Sequence, residues 1–394
     1  SDPAGHAVEV TTRARWLQIS ASDVTVDGLT FRDAGNGPQA EDAALRISGG
    51  SERFALARSH LLVAHGALLG LVGGVGHRVL DSELGWAGQE GFGIAGVADT
   101  LIARTYIHDN NTDDFEPGWE AGAGKASRST GLTFDGNTVS NNRGPGLWCD
   151  IACESVTYVG NRVDHNENAG IFYEISTAGD IRSNVVFENG WGRVDWGWGA
   201  GILVSSSGST DVADNTVAWN ADGITVVSQP RPDRPAAAGT GISVHDNAVI
   251  GAPQPGDNGD AFLVAWLQDG DGPLYRPDSH NDGGDNEFWS SAAEPAGERF
   301  HWALGASTLE AFASTPGGRG GRYLSLGERN AVLSAAGAPL GPEQRLVHVA
   351  PTRRELVTFG LGGLGLVGIA VLGGIVLWRR RRAAGGRARS ASPS

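Results

Sequence analysis

Asn137-Thr138-Val139-Ser140-Asn141-Asn142 is followed by Asn161-Arg162-Val163-Asp164-His165-Asn166 and then by Asn184-Val185-Val186-Phe187-Glu188-Asn189. The shared frame is N-x-V-x-x-N, and Asn215, Val217 and Asn220 repeat it, as do Asn247 and Val249 in part. The leading asparagines stand 24, 23, 31 and 32 residues apart, so the two longer steps read as one turn plus an insertion. Upstream, Ser59, Ser82 and Thr105 take the asparagine slot at a spacing of 23, each followed two residues later by Leu61, Leu84 or Ile107. Shortly after each frame a glycine opens an alternating run: Gly146-Leu147-Trp148, Gly170-Ile171-Phe172, Gly201-Ile202-Leu203 and Gly223-Ile224-Thr225. A period of two marks strands, and short strands recurring every ~23 residues between polar corners describe a chain coiled as a solenoid.

Each turn therefore holds at least two strands, and the expected fold is all-β, a right-handed parallel β-helix over residues 1–290. Each valine column stacks inward on its own kind, while each asparagine passes side-chain hydrogen bonds to the turns above and below. A leucine-rich repeat would need an L-x-x-L-x-L frame with a helical return, and neither occurs. From Asn286-Glu287-Phe288-Trp289 onward the register gives out, and residues 307–313 and 326–336 read as short helices. Residues 291–336 are expected to cap the open end of the coil, whose strand edges would otherwise be unpaired. Residues 337–355 read as a stalk.

Among 394 residues 60 are glycine, roughly twice the usual ~7% share, which excludes an ordinary helical enzyme. The formal charge of −15 argues against a nucleic-acid partner, because phosphate affinity needs clustered Lys and Arg. Methionine is absent, position 1 included, so the expected start lies upstream and any signal peptide would be out of view. Residues 356–378 carry no charge over 23 positions, enough to span a ~30 Å hydrocarbon layer. Arg379 to Arg382, Arg387 and Arg389 follow at once, and such clusters stay on the cytoplasmic side. The expectation is one transmembrane helix at 356–378, a cytoplasmic tail at 379–394 and an extracellular domain before them.

The frame N-x-V-x-x-N, with Gly146-Leu147-Trp148-Cys149-Asp150-Ile151 and Gly170-Ile171-Phe172-Tyr173-Glu174-Ile175, resembles right-handed parallel β-helix repeat proteins of the pectate-lyase-like superfamily. The resemblance runs from about residue 20 to 290. It implies the fold and a polysaccharide partner, but not one reaction: polysaccharide lyases, glycoside hydrolases, uronate epimerases, esterases and non-catalytic adhesins all share it.

Aligned on their glycines, the turns bring Lys125, Asp150, Glu174 and Ser205 into one column. With Leu147 and Ile171 pointing inward, alternation sends Trp148, Asp150, Phe172 and Glu174 to the surface. Adjacent strands lie about 4.8 Å apart, so the Asp150 and Glu174 carboxylates would repel. That repulsion either makes one of them a general acid or is relieved by Lys125 or by a bound Ca²⁺ at Asp150 and Glu174. A hydrolase would use the two carboxyls as nucleophile and acid. A lyase would use Lys125, the only lysine in the chain, as base, although an adjacent Asp150 favours the ammonium. Trp119, Trp148, Phe172, Trp191, Trp196 and Trp198 crowd the same stretch and are candidates to stack on sugar rings; Trp119 and the 191–198 group fall in the enlarged turns, candidate walls of a groove. Asp113, Asp114, Glu116 and Glu120 offer further carboxylates, without a fixed metal-loop spacing. Cys149 and Cys153 sit across the bend that ends their strand and are expected to be joined outside the cell. The function expected is that of a cell-surface polysaccharide-binding protein acting as a lyase or hydrolase, with a non-catalytic glycan receptor as the alternative.

Overall fold

The computed structural model describes residues 11–342 except 232–234, 236–237, 253–261, 291–298 and 304. A full turn contributes three strands, and the strands stack into three sheets of 12, 10 and 11 strands. One turn runs through Leu147–Asp150 in the first sheet, Thr157–Val159 in the second and Arg162–Asp164 in the third. The next runs through Ile171–Glu174, Asp180–Arg182 and Val185–Phe187. Neighbours pair in parallel, as in Leu147 with Ile171, Tyr158 with Ile181 and Val163 with Val186. The final pair of the first sheet, Phe300–His301 with Ala306–Ser307, is antiparallel.

In the third-sheet strands from His60–Ala64 to Glu287–Trp289 the second residue points inward, and Leu61, Leu84, Ile107, Val139, Val163, Val186, Val217, Val249 and Phe288 are all fully buried. β-Branched side chains suit this position because a pleated column offers them one well-packed rotamer. Full burial of each is worth roughly 1.5–3 kcal/mol against exposure.

The polar frame is satisfied as its spacing predicts. The Asn137 side-chain amide donates to Asn161 Oδ1, Asn161 to Asn184, Asn184 to Asn215 and Asn215 to Asn247, each at 2.9 Å. Asn247 then donates to Asn286 at 3.0 Å, so the ladder includes the residue at which the sequence register gives out. A second ladder joins Asn110, Asn142, Asn166, Asn189 and Asn220 at 2.8–2.9 Å. It is needed because the corner just before it bends through the left-handed region: Asp109, Asn141, His165, Glu188 and Trp219 have φ of 50–59°. A chain reversed that tightly cannot pair all its own amides, and the asparagines supply the missing partners.

Two helices follow the coil. Leu309–Ala313 brings Phe312 onto Phe300, ring centroids 5.0 Å apart, within the main core. Leu326–Ala336 starts on a Ser325/Glu328 capping box and ends at Gly337, whose φ of 65° a glycine adopts without strain. Both were expected over the open end, but the second lies along the outer face of the third sheet. There Leu333 packs with Phe187, Trp219 and Ile250, and Arg329 stacks 4.3 Å from the Trp289 ring. The apolar residues that attract it, Phe187, Ala218 and Ile250, succeed one another in a single outward column.

Residues 356–378, expected to cross a membrane, and the tail 379–394 lie outside the described residues. Among the described residues no helix is long and apolar enough to do so.

Candidate functional site

A cleft of about 740 Å³ opens on the outer face of the first sheet. Its floor comes from Gly122–Ser127, Leu147–Asp150, Ile171–Glu174 and Ala200–Ser205. Its walls are the turn at Pro117–Trp119, a loop carrying Arg193 and Trp198, and the Gln229–Arg231 segment with Asp269. Lys125, Asp150 and Glu174 all line it.

Asp150 pairs in register with Glu174, and Glu174 with Ser205, as the glycine alignment predicts. Lys125 does not belong to that column: it pairs with Trp148, two positions before Asp150. Its long side chain closes the gap, crossing the Trp148 ring at 4.1 Å to reach Asp150 Oδ2 at 2.7 Å. A second bond from Nζ to the Trp119 carbonyl, 2.9 Å, ties the wall to the floor.

The carboxylates are not on an open ridge. Asp150 and Glu174 are each 5% exposed, because the loops on either side fold over the sheet. Burial first, and the charge of Asp150 second, push the Glu174 carboxyl up to about 7 against the opposing pull of Arg231 and Lys125. Arg231 donates to Glu174 Oε1 at 2.9 Å and to Gln229 Oε1 at 3.2 Å. The Trp148 indole N–H is near enough to favour the Glu174 anion, yet buried without a hydrogen bond of good geometry. Asp150 Oδ1 is likewise buried and has no protein partner.

Neighbouring strands thus present two carboxyls with different cations, Asp150 tied to an ammonium and Glu174 to a guanidinium, with burial raising Glu174 to about 7. For the Ca²⁺ considered at Asp150 and Glu174 from the sequence, the described residues supply few oxygens. Two carboxyls converge, each already bonded to a cation, whereas Ca²⁺ takes six to eight oxygens. Among the described residues no cluster of His, Cys, Asp or Glu suits a metal ion. The acids of the 113–120 turn are separately engaged: Asp113 with His65 at 2.7 Å, Asp114 with Arg143 at 2.7 Å, Glu116 with the Gly118 amide and Glu120 with Gln39.

A family model described as right handed beta helix region matches residues 17–217. The chain belongs to this right-handed β-helix family. Among solved structures, the Dettilon tailspike protein aligns at 12% identity over 72% of this chain and 62% of its own, with a TM-score of 0.33. Pectate lyase Pel9A aligns at 13% identity over 87% and 77%, with a TM-score of 0.36. The aligned part is thus less than two thirds of the tailspike chain. Among curated proteins none matches.

The site of this β-helix uses its aromatics differently from the sequence expectation. Trp148 and Phe172 stack on each other at 5.1 Å, with Lys125 over Trp148 and the edge of Trp198 against Phe172. At 3% and 6% exposure they form the packed floor rather than open sugar platforms. Trp198 is covered by Arg193 at 4.5 Å, and Trp196 packs beside Trp198 at 6.3 Å without lining the cleft. Trp191 is not in the cleft, and its indole donates to the Trp219 carbonyl at 3.2 Å. Trp119, 57% exposed, is the aromatic with a free surface at the cleft. Cys149 and Cys153 are bonded to each other, both side chains buried at the bend after Asp150.

Arg193, Arg231 and Asp269 were not legible as site residues. Arg231 is 57 positions from Glu174, outside any frame of the repeat, and no spacing points to it. Glu90 was missed as well: it is fully buried in the strand Glu90–Ala95, next to that of Lys125, with burial and the charge of Glu120 raising its carboxyl well above the usual range.

Proposed function

We propose that this β-helix binds a polysaccharide along the first-sheet cleft and hydrolyses its glycosidic bonds. The observation that carries the reading is the divergence of two register neighbours, Asp150 held by Lys125 and Glu174 raised to about 7 by burial. Environments that push two carboxyls apart assign one as acid and the other as anion. Glu174 gives its proton to the leaving glycosidic oxygen, and Arg231 compensates the carboxylate that forms. Asp150, which lines the cleft, attacks the anomeric carbon. In-register strands ~4.8 Å apart suit the short carboxyl separation of a retaining hydrolase, in which Glu174 then takes a proton from the incoming water. Lys125 positions Asp150 through their 2.7 Å ion pair.

Incubation of the protein with neutral and uronate polysaccharides tests this reading. New reducing ends without ultraviolet absorbance are expected. Absorbance from unsaturated ends would move the chemistry to elimination, and intact polymer that still binds would make the protein a glycan receptor. Trp119→Ala, which spares the backbone carbonyl held by Lys125, should raise KM about tenfold, ~1.4 kcal/mol, with kcat within twofold. An unchanged KM would remove Trp119 from the binding surface.

We also propose that the domain is displayed outside the cell on a single transmembrane segment at 356–378, supported by its length and the arginines that follow. Protease added to intact cells should release the β-helix; full protection would overturn this placement.

A further inference from the structure

The third sheet carries a second aromatic cluster that the cleft does not use. Its strand Tyr106–His108 presents Tyr106 and His108 outward on either side of the inward Ile107. The two rings stack at 3.9 Å and 15°, and Trp86 meets His108 edge-on at 4.6 Å. His108 is held from both sides, Nε2 by Glu83 Oε1 at 3.0 Å and Nδ1 by Asp109 Oδ2 at 2.8 Å. His60 completes the set at 2.5 Å from the other Glu83 oxygen. The imidazole lies where a side chain at Gly85 would stand, since a Cβ there would be 2.7 Å from His108 Nε2.

The result is a rigid stack with its outermost ring, Tyr106, 39% exposed. The outward face of a sheet needs no such construction for folding; the next turns place Thr138 and Arg162 in the same column. Farther along, the C-terminal helix covers the face at Phe187 and beyond, but among the described residues it does not reach Tyr106. A fixed ring beside hydroxyl and carboxylate acceptors suits a pyranose, which offers C–H groups on its faces and hydroxyls at its rim. The Tyr106 hydroxyl feels the charges of Asp109, Asp164 and Glu83, which disfavour an anionic polymer.

We propose that Tyr106, on its His108 and Trp86 support, is a second binding site for a neutral polysaccharide, separate from the cleft. Residues 109–121 lead from this strand directly to that of Lys125 and carry Trp119, so one turn joins the platform to the cleft wall. The inference rests on the hydrolase reading for the shared ligand, but not for the existence of the platform.

The test uses affinity electrophoresis in soluble glucans, galactans and mannans, beside cleavage of short oligosaccharides. Tyr106→Thr, which installs the residue that the next turn carries at Thr138, should weaken polymer binding about tenfold while oligosaccharide turnover stays unchanged. Tyr106→Phe keeps the ring and should bind within twofold of the parent. Binding unchanged in Tyr106→Thr, or no retardation by any of these polymers, would overturn the platform even where the cleft turns over substrate. Conversely, Tyr106-dependent binding without turnover of any polymer would leave the platform standing and remove the hydrolase reading.

Discussion

Glu174→Gln should lower kcat by a factor on the order of 10²–10⁴, the usual contribution of a general acid, while KM changes little. Glutamine keeps the shape and can still accept from Arg231, but it has no proton to give. The parent should lose activity as pH rises through about 7, where Glu174 ionises, and the residual activity of the variant should lack that limb. Because Asp150 and Glu174 interact, the limb reports the pair. Stability should move the other way. A carboxyl whose folded value is raised from 4.5 to about 7 stabilises the fold fully below 4.5, and that contribution is lost as pH rises through 7. The span corresponds to about 3 kcal/mol, so Glu174→Gln should gain on the parent in thermal unfolding between pH 4.5 and 8. A variant that retains full turnover would end the acid assignment. One whose relative stability is flat with pH would show that the carboxyl ionises normally.

Asn184→Ala should destabilise the coil by on the order of 4 kcal/mol, measured by urea unfolding. The Asn184 amide donates to Asn215 Oδ1 and to the carbonyls of Tyr158 and Arg182, at 2.9, 2.9 and 3.1 Å. Its oxygen accepts from both the backbone and the side-chain nitrogen of Asn161, at 3.0 and 2.9 Å. Alanine leaves several buried groups without protein partners at a position only 1% exposed, each costing about 1–3 kcal/mol. By contrast Asp180→Ala, on the same turn, removes only a surface pair with Arg182 and should change stability by less than about 0.5 kcal/mol. A loss below 1 kcal/mol at Asn184 would show that the ladder is replaceable.

Much of the site was foreshadowed by alternation within a strand. Once Leu147 and Ile171 are placed inside, Asp150 and Glu174 must share the outer face, and equal spacing from their glycines puts them in register. Lys125 shows the limit of that method. Its strand enters two positions out of step, so counting from glycine misplaced its column, although side-chain length restored the contact. The aromatics show another limit. Alternation placed Trp148 and Phe172 outward, but whether an outward ring is open or roofed depends on loops far away in the chain. Those loops turned proposed platforms into packing and left Trp119 as the free surface at the cleft.

What the sequence by itself determined is the coil: the inward columns, the asparagine ladders and the pairing of Asp150 with Glu174. Each depends on a contact between equivalent positions one turn apart, so the fixed period of the sequence encodes it directly. Tertiary structure alone decided the charge states and exposure of the site. Arg231 reaching Glu174, the loops that bury both carboxyls and the helix that shields only part of the third sheet join positions with no periodic relation. Burial and ion pairing depend on everything that surrounds a group, and the repeat specifies only its neighbours above and below.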